Sequence, residues 1–329
     1  MSPDSRPIRI ATRSSELALR QARAVQAALA ARGVAGELVT YTTVGDRRLD
    51  VALTAIGGKG LFTQELEDDL RAGRVDCCVH SLKDLPTASP DGLEVVAQLE
   101  REDPRDALVL APATGPGGAV ASVVSVASLP PGARVGTSSL RRRAQLLALR
   151  PDLDVRELRG NVPTRLRKVD EGQVDAAILA AAGLRRLGLG ERIAAHLGAP
   201  EWLPAAGQGA IAIQVRGDDA ELRALFAALD HAPTTLATTA ERAFLAALEG
   251  GCQVPIGALA LRAASGEGIL YGLIGSVDGT RIVRGELPLD AGDPGRTGRA
   301  LADGLRARGG EEILAGLREV HRVPAPQPE

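Results

Sequence analysis

Residues 73–79 read GRVDCCV, and the stretch GQVDAAI at residues 172–178 repeats the same pattern of glycine, valine, aspartate and small apolar residues. A second pair of similar stretches precedes them, RIATRSS at residues 9–15 and RVGTSS at residues 134–139. The two pairs occur in the same order along the chain. Internal similarity of this kind indicates repeated units. We therefore predict two related α/β domains that face each other across a cleft.

Strands and helices alternate around these stretches. In the first half we predict strands at residues 8–12, 39–44 and 75–80 and helices at residues 14–32, ending at Gly33, and 61–72. A loose stretch rich in Ala, Gly, Pro and Ser follows at residues 111–132. In the second half we predict a helix that begins at Ser138 and Ser139, and strands at residues 134–137, 155–158 and 174–179. Such alternation is typical of a mainly parallel sheet covered by helices.

The pattern changes beyond Gly209. One more strand, at residues 210–215, precedes predicted helices at residues 218–229 and 234–248. Strand-like segments then follow at residues 258–262, 270–276 and 281–286, before a helix at about 299–307 and a shorter one. Strands grouped together with helices set apart indicate a separate small α+β domain. The Pro-rich end, residues 323–329, is predicted to be a disordered tail.

Composition excludes several classes of protein. The chain has 329 residues, enough for two or three domains, and a formal net charge of −2. This charge and an aromatic content of 2% argue against a nucleic-acid-binding protein. We find neither a signal peptide nor an apolar run long enough to span a membrane. Three cysteines, Cys77, Cys78 and Cys252, are a sparse and odd set that predicts a reduced, cytoplasmic protein.

Two predicted helix starts carry serines with arginines nearby. They are Arg13 with Ser14 and Ser15, and Ser138 and Ser139 with Arg141, Arg142 and Arg143. A helix N-terminus attracts anions, so two such starts in facing domains predict an anion-binding cleft. The alternative is a capped helix with a solvated basic face. Arg159, Arg165 and Arg167 add further guanidinium groups, a set that suits a small ligand with several carboxylates.

The stretch HSLKDLP at residues 80–86 follows a predicted buried strand, at the end of the sheet where α/β proteins bind ligands. Strand alternation places Ser81 and Lys83 on one side and Asp84 on the other. Asp84 has two interpretations. It is either a structural turn residue or a carboxylate that stabilises a developing cation or shuttles a proton.

Two glycine-rich loops complete the candidates. GGKG at residues 57–60 lacks the full spacing of a phosphate-binding loop and is predicted to be a mobile flap. Cys252 lies in EGGCQVP at residues 249–255, and it is either an inert buried thiol or an exposed loop nucleophile. No spacing typical of a metal site is present in the sequence.

Taken together, the motifs resemble the porphobilinogen deaminase family, whose members are also called hydroxymethylbilane synthases. The matching stretches are IATR (10–13), GGKGLF (57–62), VHSLKD (79–84), REDPRD (101–106), GTSSLRR (136–142), LRGN (158–161), PAAGQG (204–209) and EGGCQVP (249–255). They extend over nearly the whole chain in the family order. The resemblance implies two domains built like type II periplasmic binding proteins, with the active site between them, and a third, small α+β domain. Its implied bounds are residues 1–103 plus 204–228, residues 104–203, and residues 229–329.

The resemblance also implies a dipyrromethane cofactor held by a thioether to Cys252, and a catalytic aspartate at Asp84. Four porphobilinogen molecules are added to the cofactor with loss of ammonia, and hydrolysis releases hydroxymethylbilane. The residues implied to bind the cofactor are Ser81, Lys83, Ser138, Ser139, Arg141, Arg142 and Arg165. Those implied to bind substrate are Arg13, Ser15, Lys59, Phe62, Arg159 and Arg186.

Three departures from the family pattern are present. Ala55 stands where many members carry a lysine, Pro163 replaces a common glycine, and residues 111–132 form a longer stretch than usual, predicted to be a surface insertion. The resemblance implies a monomer without a metal, membrane or nucleic-acid partner. The alternative function is a non-catalytic two-lobed binding protein for an organic polyanion, which gives neither Asp84 nor Cys252 a role.

Overall fold

The structure is a computed structural model that describes residues 6–43, 63–112, 125–249, 254–262 and 266–322. Several predictions fall outside the described residues: the flap with Lys59 and Phe62, Ala55, the cofactor cysteine Cys252 and the Pro-rich end.

The first lobe is a sheet with helices packed against it. In the described part of the chain its strands are β1 (Ile8–Arg13), β2 (Gly36–Tyr41), β3 (Cys77–Ser81), β4 (Leu93–Gln98) and β10 (Ile211–Arg216). They lie in the order β2-β1-β3-β10-β4. Cys77 and Cys78 on β3 are buried in clusters on opposite faces of the sheet, because successive side chains of a strand alternate.

Two helices of the first lobe lie where the sequence predicts them. They are α1 (Glu16–Ala30) and α2 (Gln64–Arg71). Ser15 begins α1, and its side chain accepts a hydrogen bond from Ala18 N at 3.3 Å. The chain leaves α1 through Gly33, whose φ of +73° is the left-handed conformation that glycine adopts without strain. The predicted cap is confirmed.

The second lobe repeats this arrangement. In the described part of the chain its strands are β5 (Asp106–Leu110), β6 (Arg134–Gly136), β7 (Asp154–Arg156), β8 (Ala176–Ala180) and β9 (Ala195–Leu197), in the order β7-β6-β8-β5-β9. Its helices are α3 (Leu140–Leu149), α4 (Val162–Asp170) and α5 (Ala181–Arg186). The strands β4, β5 and β9 were not predicted from the sequence.

The prediction of a mainly parallel sheet needs one correction. In each lobe four strands run in one direction, but β10 in the first and β5 in the second are antiparallel to both of their neighbours. The reason is the connection that precedes each of them. The chain enters β5 directly from β4 of the other lobe, and it enters β10 directly from β9, instead of returning through a helix on the same sheet.

The predicted internal repeat is confirmed by two equivalent contacts. Arg9 N donates to Asp76 Oδ2 at 2.8 Å, and Arg134 N donates to Asp175 Oδ2 at 2.8 Å. In both lobes the guanidinium group of the same arginine also binds that carboxylate. The repeated aspartate therefore ties β1 to the turn before β3 in the first lobe, and β6 to the turn before β8 in the second.

The third domain packs helices on an antiparallel sheet. Its strands in the described residues are β11 (Ile256–Arg262), β12 (Gly268–Gly275) and β13 (Ile282–Pro288). The helices that follow β10 are α6 (Ala220–Ala227), α7 (Ala232–Ala247), α8 (Pro294–Leu305) and α9 (Glu311–Arg322). Phe244 of α7 and Leu301 of α8 lie in the core of this domain. The predicted fold class, two type II α/β lobes with a small α+β domain, is confirmed.

Helices α7 and α8 approach each other closely at Gly298. A Cβ atom at this position would lie 2.3 Å from Ala240 O. No helix in the described part of the chain combines the length and the apolar character needed to cross a membrane.

Candidate active site

A turn at the end of β3 carries the central candidates. Ser81 ends the strand, and residues Leu82–Asp84 form a single 3₁₀ turn. Lys83 is half-buried, whereas Asp84 is exposed and has no hydrogen bond to any described residue. A structural turn aspartate is expected to accept hydrogen bonds from nearby backbone N–H groups. The open position of Asp84 favours the interpretation as a carboxylate available to a ligand.

Gln208 fixes the position of the Lys83 ammonium. Gln208 Nε2 donates to Pro104 O and to Asp106 Oδ1, both at 2.8 Å, so its Oε1 must face the opposite way. Lys83 Nζ donates to that oxygen at 3.2 Å. The pKa of Lys83 is lowered to about 8, mainly by burial; the Asp84 carboxylate opposes this lowering, and the Arg142 guanidinium adds a smaller one.

Asp106 is the buried centre of this network. Arg141 Nη1 lies 2.8 Å from its Oδ2, and Arg142 Nη2 lies 2.7 Å from its Oδ1. Trp202 Nε1 donates to the same carboxylate at 2.8 Å. Burial raises the pKa of Asp106, but the charges of the two arginines outweigh it and hold the pKa well below its usual range.

This burial corrects one interpretation from the sequence. A solvated basic face was the alternative for the arginines at the start of α3, yet Arg141 and Arg142 are both only 5% exposed. Arg143 lies apart from them, with its Nη1 bound to Val155 O at 2.9 Å. The predicted helix cap is also incomplete, because the side chain of Ser139 makes no capping hydrogen bond.

Further cations from the second lobe face the same region. Arg165 Nε donates to Gly160 O at 2.7 Å. Burial, together with the smaller effect of the neighbouring Arg142 and Arg159 guanidinium groups, lowers the pKa of Arg165 to about 10. The Ser138 hydroxyl donates to Leu158 O at 2.5 Å. The structure therefore brings Lys83, Asp84, Arg142, Arg159 and Arg165 together as a cluster that we call the cationic cluster.

The predicted residues of the first lobe lie at its strand ends. Arg13 ends β1, and Ser81 ends the neighbouring strand β3. Gln21 Nε2 donates to Ser81 Oγ at 2.7 Å. Ser15 caps α1, so its side chain already has a structural role.

Arg186 connects the second lobe to the segment before β10. Its Nη2 donates to Gly209 O at 2.7 Å, and the guanidinium is partly buried. Burial lowers the pKa of Arg186. Two residues of this network had no predicted role, Asp106 and Gln208. One feature of the sequence could have identified them. Each is a polar residue close before an apolar strand: Asp106 precedes ALVL, and Gln208 precedes β10.

The donor set of the cationic cluster suits a ligand with several carboxylates. Burial is the main reason that Lys83 and Arg165 have a lowered pKa, and at Arg165 the repulsion of the Arg142 and Arg159 guanidinium groups adds to it. An anion placed among them relieves this repulsion, and guanidinium groups bind carboxylates in bidentate geometry.

Comparison with known proteins gives consistent matches. A family model described as "Porphobilinogen deaminase, dipyromethane cofactor binding domain" matches residues 8–224, and one described as "Porphobilinogen deaminase, C-terminal domain" matches residues 235–307. A porphobilinogen deaminase from Roseiflexus castenholzii is 52% identical over 309 residues, which cover 93% of this chain and 98% of that protein. One from Geobacter sulfurreducens is 48% identical over 320 residues, or 96% of each chain. Among solved structures, the BvgS VFT2 domain from Bordetella pertussis is 19% identical with a TM-score of 0.40, covering 67% of this chain and 84% of that one.

Proposed function

The chain belongs to the porphobilinogen deaminase family, and we propose that its reaction takes place at Asp84, within the cationic cluster. The enzyme is a hydroxymethylbilane synthase, a transferase of tetrapyrrole biosynthesis that joins porphobilinogen molecules head to tail and releases ammonia and hydroxymethylbilane. The family match favours this activity over the alternative of a non-catalytic binding protein.

The dipyrromethane cofactor supplies the primer on which the product chain is built. Lys83, Arg142 and Arg165 are the proposed partners of its carboxylates, together with Arg141 and with Ser81, Ser138 and Ser139. This proposal is supported by the burial of Lys83 and by the positive charge of Arg142 and Arg159 around Arg165. Cys252, which lies outside the described residues, is the proposed attachment point through a thioether.

Asp84 is the proposed catalytic carboxylate. Loss of ammonia from the aminomethyl group of porphobilinogen leaves positive charge on the substrate pyrrole, and a carboxylate nearby stabilises that charge. We propose that the same carboxylate accepts the proton that the pyrrole ring loses when the new bond forms, and later releases it. The support for this role is that the Asp84 side chain is exposed and has no hydrogen bond to any described residue, and that it lies near Lys83 and Arg165, two proposed partners of the cofactor carboxylates.

Arg13, Ser15, Arg159 and Arg186 are the proposed substrate-binding residues, with Lys59 and Phe62 from the flap. Arginine keeps its charge when buried, so it can neutralise the acetate and propionate groups that accumulate as the chain grows. The arginines come from both lobes, which supports binding in the cleft between them.

The proposed domain bounds remain residues 1–103 plus 204–228, residues 104–203, and residues 229–329. The strands of the first sheet fall within the discontinuous first range, and those of the second sheet lie between Asp106 and Leu197. We also propose that the protein is a monomer and that it is cytoplasmic; the free, buried thiols of Cys77 and Cys78 support the second of these proposals.

The intact mass of the denatured protein tests the proposal directly. The wild type is expected to carry the added mass of two linked pyrrole units, and Cys252→Ser is expected to lack it. Asp84→Asn is expected to keep the added mass but to lose at least about a hundredfold in kcat. A wild-type protein that gains no mass even after incubation with porphobilinogen contradicts the attachment at Cys252. Normal turnover by Asp84→Asn contradicts the catalytic role.

A further inference from the structure

Arg242, on α7 of the third domain, reaches across to the turn that carries Asp84. Its Nη2 donates to Pro86 O at 2.7 Å and to Thr87 O at 3.2 Å. Its Nη1 makes longer contacts, 3.4 Å to Leu85 O and 3.5 Å to Leu82 O. One guanidinium group therefore gathers the carbonyl groups on both sides of Asp84.

Leu82 O also accepts a hydrogen bond from Leu85 N at 3.2 Å, whereas the carbonyls of Leu85, Pro86 and Thr87 have no other donor among the described residues. The 3₁₀ turn ends at Asp84, and the carbonyls after a helical turn have no partner within it. In the described part of the chain Arg242 has no carboxylate partner, and burial lowers its pKa. The arginine is thus devoted to the backbone of this turn and forms no surface ion pair.

Helix α7 holds Arg242 in place through the preceding residue. Glu241 is fully buried and accepts hydrogen bonds from Gly207 N at 2.7 Å and from Ala260 N at 2.9 Å. Arg101 Nη1 lies 2.7 Å from the same carboxylate. The helix is therefore anchored to the first lobe and to β11 at the level of Arg242.

The same helix leads into the cofactor loop. Helix α7 ends at Ala247, Glu249 has a φ of +52°, and Cys252 follows Arg242 by ten residues in the sequence. The helix that contacts the turn of Asp84 therefore also lies shortly before Cys252 in the sequence.

We propose that Arg242 is a positioning residue that fixes the Asp84 turn relative to helix α7. This inference rests on the proposed catalytic role of Asp84. Without the guanidinium, the turn is free to shift, and a misplacement of about 1 Å can lower the rate about a hundredfold. Arg242 is not among the residues proposed to bind substrate or cofactor.

The test compares the holoenzymes of Arg242→Met and Arg150→Met. Arg150 is a matched control, because its Nη1 gathers the carbonyls of Val126, Ala127 and Leu129 around another 3₁₀ turn, away from Asp84. We expect Arg242→Met to keep the cofactor mass and a KM within about threefold of wild type, while kcat falls about ten- to a hundredfold. Arg150→Met is expected to keep kcat.

The outcomes separate this inference from the proposed function. A kcat of Arg242→Met within about threefold of the control overturns the positioning role, and so does a variant that loses the cofactor mass. If Arg242→Met does not fold, the Arg242→Lys variant tests the positioning role instead. Its ammonium reaches fewer of the four carbonyls, so a reduced kcat with an unchanged Tm supports the role, and a wild-type kcat overturns it. Failure of the proposed function would instead appear in the wild type, as an absent adduct and no product.

Discussion

Lys83 Nζ donates to Gln208 Oε1 across 3.2 Å, and through Gln208 Nε2 this contact continues to Asp106 at the start of β5. These hydrogen bonds link the turn that carries Lys83, in the first lobe, to Arg141 and Arg142, the buried arginines of the second lobe. Lys83 belongs to one lobe and the guanidinium groups it faces belong to the other, so the cationic cluster exists only when both lobes are in place.

The pKa of Lys83 predicts a pH dependence of cofactor assembly. Because its pKa in the folded apo-protein is about 8, the ammonium loses its proton above that pH and no longer attracts a carboxylate. We expect the rate of holoenzyme formation from apo-protein and porphobilinogen to fall above about pH 8. Intact-mass measurements over pH 6–10 check this expectation. Lys83→Arg keeps its charge, so its profile is expected to be flat in this range, and a decline identical to that of wild type would assign the pH effect to another group.

The same pKa has a consequence for stability. The folded pKa lies below that of an unfolded lysine, about 10.4, so the charged ammonium destabilises the apo-fold, most strongly below pH 8. This destabilisation is relieved as the pH rises from about 8 to about 10. Lys83→Met apo-protein is expected to unfold at a higher urea concentration than wild type at pH 7, with the difference shrinking at pH 10. A difference that does not change with pH would contradict this account.

Asp106→Asn is expected to destabilise the protein by about 3–5 kcal/mol, because it leaves two buried guanidinium groups without their counter-charge. Urea unfolding of the apo-protein measures this effect. Asp152→Asn is the matched control, since Asp152 forms an exposed pair with Arg150 and its loss is expected to change stability little. A small effect of Asp106→Asn would mean that the arginine pair finds other partners.

The two repeated aspartates, Asp76 and Asp175, are expected to contribute differently to the stability of the fold. The side chain of Asp76 is 1% exposed and that of Asp175 is 40% exposed, and hydrogen bonds with arginine lower the pKa of both, although burial opposes this. A lowered pKa contributes stability above the unfolded pKa, near 4, and this stability is lost as the pH falls through the folded value. Asp76→Asn is therefore expected to destabilise the protein more at pH 7 than Asp175→Asn, with the gap closing below pH 4. Equal effects of the two variants in urea unfolding at pH 7 would refute this order.

Gly298→Ala is expected to destabilise the protein by about 1–3 kcal/mol, because the added methyl group would meet Ala240 O on α7 at 2.3 Å. Gly304→Ala lies on the same helix, and nothing is within 4 Å of its added methyl group. This control is expected to stabilise the protein by up to about 1 kcal/mol. Thermal unfolding of both variants checks the opposite signs, and a stable Gly298→Ala protein would show that α7 and α8 separate readily.

The sequence predicts correctly those strands and helices whose pattern of apolar and polar residues matches their burial in the structure. Strands β1 and β6 are apolar and are followed by serines that begin helices, so they were recognised together with the repeat. Strand β5 was not predicted because it begins with Asp106, and a charged residue does not indicate the start of a buried strand. Strand β9 was missed because its three residues, Ala195–Leu197, are too few to show an apolar run or an alternation in the sequence that would predict a strand.

The candidate site was predictable to a similar extent. Motif resemblance identified Asp84 and the arginines, but not the inward direction of Arg141 and Arg142. A guanidinium at the start of a helix is usually solvated, and only the distant Asp106 makes its burial favourable. The role of Gln208 depends on contacts more than 100 positions apart, which no local pattern records.

Strand β10 belongs to the sheet of the first lobe but follows the whole second lobe in the sequence. This connection sets an order for folding during synthesis. The second lobe is encoded without interruption from β5 to β9, so its sheet is complete once residue 197 has left the ribosome. The first lobe, although it is made earlier, lacks its fourth strand in spatial order until residue 216 has emerged. The usual sequence, in which the N-terminal domain folds first, is therefore reversed. The nascent chain must keep the apolar edge of β3 unpaired while the lobe downstream of it folds.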